Sequence, residues 1–183
     1  MAKSQIIVRS LSARSQRGWV ALGPLRWPCA LGRGGISARK REGDGATPLG
    51  SFRLLQGYRR RDKFPLMGHA AHLIDLQPDT GWCDAPADAN YNRKVRHPYA
   101  ASAEQLWRSD DLYDCLVVLD YNIRPRMRQR GSAIFLHVAR ADLAPTEGCV
   151  ALRKRDLRQL LRYVRPGTRL VVGPLNKVVR PHV

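Results

Sequence analysis

The sequence predicts a single β-rich domain with one or two packed helices. Short segments of β character recur along the chain, whereas few segments have helical periodicity. The length of 183 residues suits one domain with one hydrophobic core. Hydrophobic residues make up 44% of the chain, which excludes a wholly disordered protein.

The predicted strands are short and lie between Gly, Pro, Asp or Asn residues, as is typical of strands joined by turns. The continuous apolar runs at 116–119 and 134–136 are expected in the core. The segments with strand character are Gln5–Arg9, Trp19–Leu22, Ser51–Leu55, His72–Leu76, Cys115–Tyr121, Ala133–Val138 and Thr168–Val172.

Two segments predict helices. Residues 102–105 have the Ser-x-x-Gln form of a capping box and lead into Leu106 and Trp107. The second segment has an apolar stripe at helical spacing, is ended by a Pro-Gly pair, and carries arginines on a face expected to be solvated. Its apolar positions are Leu157, Leu160, Leu161 and Val164, and its basic positions are Arg155, Arg158 and Arg162.

The stretch 57–98 is rich in Pro, Asp, Asn and Arg and predicts a long loop, which in a compact domain is usually functional. Its central polar and aromatic cluster has two interpretations. It is either part of a substrate cleft, with rings as walls and polar side chains as hydrogen-bond partners, or a self-capped turn packed by aromatics. The cluster comprises Trp82, Asp84, Asp88, Tyr91 and Asn92.

The net charge of +17 favours a polyanionic partner, although biased base composition would give the same excess of arginine. No apolar run approaches the roughly 20 residues of a membrane-spanning helix. The first apolar run, 6–8, ends at Arg9 and is too short for a secretory signal. We therefore expect a cytoplasmic protein, or a periplasmic one if a leader was removed.

Two basic clusters, 59–61 and 124–130, make nucleic-acid binding the rival function. No recognised nucleic-acid-binding motif accompanies them, so solvated loops are the favoured interpretation. His69, His72 and Cys83 are candidate metal ligands, but no fourth ligand is evident and the spacing matches no common zinc pattern. We expect neither a metal nor a cofactor.

The four cysteines are far apart and form no CxxC motif, so free thiols are expected. Cys149 follows Gly148 in a tight turn, and His137 ends a buried strand 12 residues earlier. A histidine is needed to activate a thiol at neutral pH, and consecutive backbone N–H groups beside a glycine can hold an oxyanion. The alternative is a structural cysteine and a core histidine.

These residues resemble the active-site motif of the L,D-transpeptidase (YkuD-type) catalytic domain. The motif is a histidine, a dozen or more residues, and then Ser/Thr-His-Gly-Cys, for which this chain has Thr146-Glu147-Gly148-Cys149 after His137. The segment 47–52, Thr-Pro-Leu-Gly-Ser-Phe, resembles the Thr-Pro-x-Gly-x-Phe segment of the family. A third similarity covers 81–92. Together they extend over about 32–172 of one domain spanning 1–183.

The resemblance implies a mostly β (α+β) domain with a curved mixed sheet or sandwich and a few short helices. It also implies acyl transfer on peptidoglycan stem peptides, at the bond between meso-diaminopimelate and D-Ala. Cys149 would be the nucleophile and His137 the general base. The N–H of Cys149, with that of Gly148 or a neighbour, would hold the oxyanion, and a carbonyl at the position of Thr146 would orient His137. Carbapenems would be acylating inhibitors.

Three departures from the family pattern affect substrate recognition. Glu147 replaces the usual histidine, and Ala151 stands where the family often has an arginine. Arg140 or Arg153 could replace that arginine. The short interval between His137 and Cys149 indicates a trimmed loop over the site. Substrate contacts are expected from Arg140, Glu147, Arg153, Trp82, Asp84, Tyr91 and Asn92.

Without an export signal, we expect water to resolve the acyl-enzyme, which would make the protein an L,D-carboxypeptidase in peptidoglycan recycling. Cross-linking of the wall and exchange of D-amino acids are the alternatives within the same chemistry. An inactive domain that binds muropeptides without reacting is a third hypothesis, from a different class.

Overall fold

The computed structural model describes residues 5–12, 14–65, 73–165 and 167–173. It contains fourteen strands and one helix in this part of the chain. In chain order these are β1 (Gln5–Ser10), β2 (Arg17–Leu22), β3 (Leu25–Ala30), β4 (Ile36–Ser37), β5 (Thr47–Pro48), β6 (Gly50–Arg59), β7 (Leu73–Asp75), β8 (Thr80–Cys83), β9 (Arg93–Arg96), β10 (Ala103–Gln105), β11 (Cys115–Leu119), β12 (Phe135–Val138), β13 (Val150–Leu152), α1 (Lys154–Leu161) and β14 (Arg169–Gly173).

Nine strands form one mixed sheet in the order β11-β12-β13-β3-β2-β1-β14-β6-β7. The sheet closes on itself because β11 also pairs with the second half of β6, whereas β14 pairs with its first half. The pairs β1–β14, β12–β13 and β6–β7 are parallel and the others are antiparallel. This curved, barrel-like sheet confirms the predicted mostly β fold.

The main hydrophobic core fills the closed sheet and extends beneath the helix. Its fully buried members include Ile6, Leu136 and Leu170 from three different strands. A second cluster around Phe135 packs on the other face of β11 and β12 and includes the Cys149 side chain. Cys149 therefore lies at the border between the sheet and the smaller elements that cover it.

The helix prediction at 157–164 is confirmed in type, since α1 buries Leu157, Leu160 and Leu161 against the core. Its basic face is only partly solvated. Arg155 and Arg162 are exposed, but the Arg158 guanidinium lies 5.0 Å from the centre of the Phe64 ring. The aliphatic stem and flat head of an arginine can cover an aromatic face in this way.

The other predicted helix is wrong, because Ala103–Gln105 forms strand β10. β10 pairs with β8, which in turn pairs with β9, in a separate three-stranded sheet. The capping-box pattern is a local preference of a few residues, and pairing with the buried strand β8 overrides it.

The long loop predicted over 57–98 is also partly wrong, because the stretch contains β7, β8, β9 and the end of β6. Each predicted strand overlaps an observed one, although the first residue of the segment 72–76 lies outside the described residues. The short strands β3, β4, β5, β8, β9, β10 and β13 were not predicted. Within the described residues, no helix is long and apolar enough to cross a membrane.

Candidate active site

The parallel pair β12–β13 places Cys149 and His137 on one face of the sheet. The register aligns His137 with Ala151, two residues after Cys149. Side chains two residues apart on a strand point the same way, so Cys149, Ala151 and His137 face the same side. On that side lies a cavity of about 470 Å³, and all three residues line it.

The hydrogen bonds of His137 define its tautomer. Its Nδ1 lies 2.8 Å from the carbonyl oxygen of Val138 and 3.3 Å from that of Leu112. A carbonyl can only accept, so Nδ1 carries the proton and Nε2 holds the free lone pair. The imidazole is therefore prepared to act as a base through Nε2.

These contacts correct the role predicted for Thr146. The carbonyls that orient His137 belong to Val138 and Leu112, whereas the carbonyl of Thr146 accepts the N–H of Arg33 at 2.8 Å. The Thr146 hydroxyl instead donates to the carbonyl oxygen of Cys149 at 2.7 Å. Thr146 thus stabilises the turn that carries Cys149 and does not orient His137.

The thiol of Cys149 is buried and has two backbone partners. Its Sγ accepts the N–H of Phe135 at 3.3 Å and donates to the carbonyl oxygen of Ala133 at 3.2 Å. Burial, and then the negative charge of Glu104, raise the pKa of this thiol to about 12. The Phe135 N–H and the Lys40 ammonium act in the opposite direction.

Burial also lowers the pKa of the His137 imidazole to about 4, against the two hydrogen bonds to backbone carbonyls. Both shifts favour a neutral thiol and a neutral imidazole over a thiolate–imidazolium pair as the resting state at neutral pH. In such a pair the proton leaves sulfur as the sulfur attacks, which is general-base catalysis.

The turn that presents Cys149 depends on Gly148. Its φ of +128° disfavours any residue with a Cβ, and a Cβ here would lie 2.7 Å from the carbonyl oxygen of Ala46. From the other side, the Thr47 hydroxyl accepts the Gly32 N–H at 2.8 Å and lies 3.4 Å from the Cys149 carbonyl oxygen. The segment at 47–52 that resembles the family thus contacts the backbone of the nucleophile through Thr47.

The predicted oxyanion donors are not equivalent. The Gly148 N–H donates to the Thr146 hydroxyl at 3.2 Å. Among the described residues, no acceptor engages the N–H of Cys149. Cys149 N–H is therefore the donor of this turn that remains available for an oxyanion.

A buried ammonium group lies beneath the same turn. Lys40 is 3% exposed, and its Nζ donates to Asp44 Oδ1 at 2.8 Å. A Cβ on Gly148 would lie 3.3 Å from this Nζ, so the positive charge is next to the backbone before Cys149. Asp44 also accepts the N–H groups of Arg41 and Ala46, which fixes its carboxylate. Lys40 was not predicted from the sequence, because its surroundings are formed by long-range packing.

Acidic and basic side chains line the cavity together. Arg140, Glu147 and Asp84 were predicted and are among its lining residues. Glu104 and Arg108 were not predicted. Glu104 was missed because its segment was assigned to a helix, whereas it lies in strand β10.

Glu104 is the acidic group that raises the pKa of the Cys149 thiol most. Its Oε1 accepts the Tyr113 hydroxyl at 2.5 Å, and burial raises the pKa of its carboxyl group. Tyr113 packs edge-on against His137, with ring centres 5.2 Å apart. The Glu104–Tyr113 pair thus forms a polar wall beside both members of the Cys–His pair.

Glu147 lies at the rim rather than in the interior. Its carboxylate forms an ion pair with Arg33 Nε at 2.8 Å, and both side chains are largely exposed. Arg33 also donates to the Gly43 carbonyl at 3.1 Å. The pair links the segment around Arg33 to the Cys149 turn, at a position that borders the cavity.

The remaining predicted contacts do not line the cavity. Trp82, Tyr91 and Asn92 are buried. Trp82 Nε1 donates to Asn92 Oδ1 at 2.9 Å, and the Tyr91 hydroxyl donates to Glu42. The structure therefore favours the packed-turn interpretation of these three residues. Arg153 lies at the start of α1 and is also outside the lining.

The other cysteines are free and buried, at positions 29, 83 and 115. In the described part of the chain, no group of three or more His, Cys, Asp or Glu residues could hold a metal ion. His69 and His72, the other candidate ligands, lie outside the described residues.

A closed mixed sheet that presents a cysteine and a histidine in one cavity has the parts needed for thiol-dependent acyl transfer. The family model of the L,D-transpeptidase catalytic domain, YkuD, matches residues 5–172. The chain belongs to this family, which confirms the resemblance seen in its motifs. Family members act on peptidoglycan peptides, are acylated by carbapenems and typically use a cysteine nucleophile.

Two solved structures are similar to this chain. Bd1075 of Bdellovibrio bacteriovorus has a TM-score of 0.49 at 14% identity, over 94% of this chain and 48% of that one. L,D-transpeptidase 1 of Mycobacterium tuberculosis has a TM-score of 0.39 at 16% identity, over 92% of this chain and 62% of that one. The chain thus spans less than two thirds of the length of either protein. A search of curated protein sequences finds no match.

Proposed function

We propose that this protein is an L,D-carboxypeptidase, which releases D-Ala from the meso-diaminopimelate–D-Ala bond of peptidoglycan tetrapeptides. The observation that carries the proposal is the shared cavity of Cys149 and His137, with Nδ1 of His137 held by carbonyls. Membership in the L,D-transpeptidase family supplies the reaction class, namely acyl transfer on peptidoglycan peptides.

In the proposed acylation step, the Cys149 thiol turns from the Ala133 carbonyl towards His137 Nε2. The proton moves to Nε2 as sulfur attacks the carbonyl carbon of diaminopimelate. The N–H of Cys149 stabilises the oxyanion of the tetrahedral intermediate. The intermediate collapses when the protonated His137 gives its proton to the leaving amine, which breaks the C–N bond and leaves a thioester.

In deacylation, His137 Nε2 takes a proton from water as the water oxygen attacks the thioester. The C–S bond breaks and the thiolate of Cys149 recovers the proton. The size of the cavity supports water as acceptor. About 470 Å³ is near the lower end of the range for small-ligand pockets, which suits the end of one stem peptide rather than two peptides side by side.

The charges in the cavity suit a substrate that carries both carboxylates and an amino group. Arg140 and Arg108 can hold carboxylates, although Arg108 also donates to Asp110 at 2.8 and 2.6 Å. Asp84 and Glu104 can accept from an ammonium group. Diaminopimelate provides both kinds of group.

Mass spectrometry of a disaccharide tetrapeptide mixed with the protein tests the proposal. The wild type should release D-Ala, Cys149→Ala should release none, and Cys83→Ala should behave as the wild type. A cross-linked dimer, or exchange with an added D-amino acid, would show a transferase instead. Complete inertness of a folded wild type towards the tetrapeptide and a carbapenem would indicate a binding domain.

The same proposal includes action in the cytoplasm on soluble wall fragments. Fractionation of cells that produce the full-length protein with a C-terminal tag would test this point separately from the chemistry. Recovery in the periplasmic fraction would contradict it.

A further inference from the structure

The two basic clusters of the sequence differ in their ion pairs. In the first, Arg59 pairs with Asp75 at 2.9 Å and Arg60 pairs with Asp62 at 2.5 Å. In the second, Arg124 and Arg126 make no ion pair within the described residues. The second cluster therefore keeps its charge available to a ligand.

Arg124 and Arg126 line a groove of about 310 Å³ together with two further basic residues. Strand β9 contributes Arg93 and Lys94, which also make no ion pair among the described residues. None of the described residues that line the groove carries a carboxylate. Four positive charges thus surround one small hollow, and its lining supplies no counter-charge.

One of the four has an unsatisfied buried donor. Arg126 Nε is shielded from solvent and has no hydrogen-bond partner in the described part of the chain. Desolvation, and then the charges of Arg93 and Arg124, lower the pKa of this guanidinium group. Buried polar groups without partners are uncommon in native proteins, and a site for an ion is one physical reason for such a group. An anion in the groove would satisfy the donor and relieve the repulsion.

The loop that carries the two arginines is held in place. Asn92 Nδ2 donates to the carbonyl oxygens of Tyr121 at 3.2 Å and Asn122 at 2.9 Å. The Asn122 side chain accepts the Met127 N–H at 2.8 Å and donates to the Gly131 carbonyl at 2.8 Å. A fixed loop loses less conformational entropy when a ligand binds than a mobile one does.

Part of the lining of the groove is apolar and aromatic. Leu55, Val118 and Ile123 are among its lining residues, and Lys94 Nζ lies 5.5 Å from the centre of the Tyr58 ring. A lining that combines apolar side chains with a few charged ones is a common form of small-ligand site. Among the described residues, none lines both this groove and the cavity of Cys149.

We propose that this groove, formed by Arg93, Lys94, Arg124 and Arg126, is a binding site for the diphosphate group of a small molecule. Guanidinium groups bind phosphate oxygens in a bidentate manner, and a diphosphate carries enough negative charge to balance several cations. A compact hollow favours such a group over a polymer, which needs an extended basic stripe. The site is separate from the proposed carboxypeptidase activity and does not depend on it.

Titration calorimetry with inorganic pyrophosphate tests the proposal. The wild type should bind in a saturable way with one site, and Arg124→Gln/Arg126→Gln should bind at least tenfold more weakly. The matched control is Arg128→Gln/Arg130→Gln, which removes the same charge from two exposed positions of the same loop outside the groove. The control should bind within twofold of the wild type. Cys149→Ala should also bind normally, whether or not the protein proves to be a carboxypeptidase.

Three outcomes would overturn the proposal. Equal weakening in both double variants would show only general attraction to a protein of net charge +17. Absence of saturable binding by the folded wild type would exclude a diphosphate site. The third outcome is that the wild type binds a single-stranded oligonucleotide, or phosphatidylglycerol vesicles, more tightly than pyrophosphate. If the Arg124→Gln/Arg126→Gln variant loses that binding, the groove is a site for a polymer or a membrane surface.

Discussion

The hydroxyl of Thr47 lies 3.4 Å from the carbonyl oxygen of Cys149, although the two residues are 102 positions apart in the chain. The same hydroxyl accepts the N–H of Gly32 at 2.8 Å. One buried side chain therefore joins three segments at the back of the nucleophile turn. The two motifs that stand far apart in the sequence act as one structural unit around the thiol.

Replacement of Thr47 should test this unit. Thr47→Val keeps the shape but removes the hydroxyl and leaves the buried Gly32 N–H without an acceptor, which costs about 1–3 kcal/mol of unfolding free energy. Thr47→Ser should retain most of the stability. Urea unfolding compares the variants with the wild type, and D-Ala release shows whether the nucleophile is displaced. Equal stability of the Val and Ser variants would mean that the hydroxyl contributes little.

Much of the candidate site was predictable because the motifs are local. The strand-end position of His137, the glycine before Cys149 and the Thr-Pro segment are visible in the sequence itself. Helix α1 was predictable for the same reason, since the apolar stripe at 157–164 repeats over two turns.

The errors came from features that depend on long-range pairing. Residues 102–105 have a helical capping pattern, and only pairing with β8 turns them into a strand that presents Glu104 to the cavity. Lys40 looks like a surface lysine in the sequence, and only packing against the distant turns at Gly131 and Gly148 buries it. The partners of Trp82 and Asn92 were likewise set by packing.

Lys40 should promote the reactivity of the thiol. Its ammonium group opposes the rise in the pKa of Cys149, so Lys40→Met should raise that pKa further and reduce the thiolate fraction. We expect alkylation by iodoacetamide at pH 8 to become several-fold slower, with its pH profile shifted upwards.

Lys154→Met provides the control for this prediction. Lys154 pairs with Asp114 at 2.6 Å and does not line the cavity, so its loss should leave the alkylation profile unchanged. Lys40→Arg should restore part of the rate if charge is the cause. Identical profiles for Lys40→Met and the wild type would contradict the electrostatic role.

Arg140 should bind a substrate carboxylate, whereas Arg153 should not. Arg140 lines the cavity and is exposed, while Arg153 lies outside the lining at the start of α1. A hydrogen bond to a charged group contributes about 1.5–3 kcal/mol, so Arg140→Ala should raise KM at least about tenfold. Steady-state kinetics of D-Ala release on Arg140→Ala and Arg153→Ala make the comparison. An equal rise in KM for both variants would refute the assignment.

A carbapenem should acylate Cys149 alone among the four cysteines. The other three are buried and do not line the cavity that holds His137. Intact-protein mass spectrometry should show one adduct on the wild type and on Cys83→Ala, but none on Cys149→Ala. An adduct on Cys149→Ala would place the reactive thiol elsewhere.

The buried His137 should make the protein less stable in acid. Its pKa is lowered from 6.5 to about 4 by burial, so below pH 6.5 the unfolded chain takes up a proton that the folded protein does not. The unfolded state binds more protons in this window, and stability therefore falls as the pH falls, by about 3 kcal/mol at pH 4. Above pH 6.5 the imidazole is neutral in both states and makes no contribution to the pH dependence.

Urea unfolding of His137→Gln tests this prediction, because glutamine cannot titrate. The difference in unfolding free energy between the variant and the wild type should change by about 3 kcal/mol between pH 7 and pH 4. A difference that stays constant with pH would show that the imidazole titrates alike in the folded and unfolded states, and would refute the neutral resting pair.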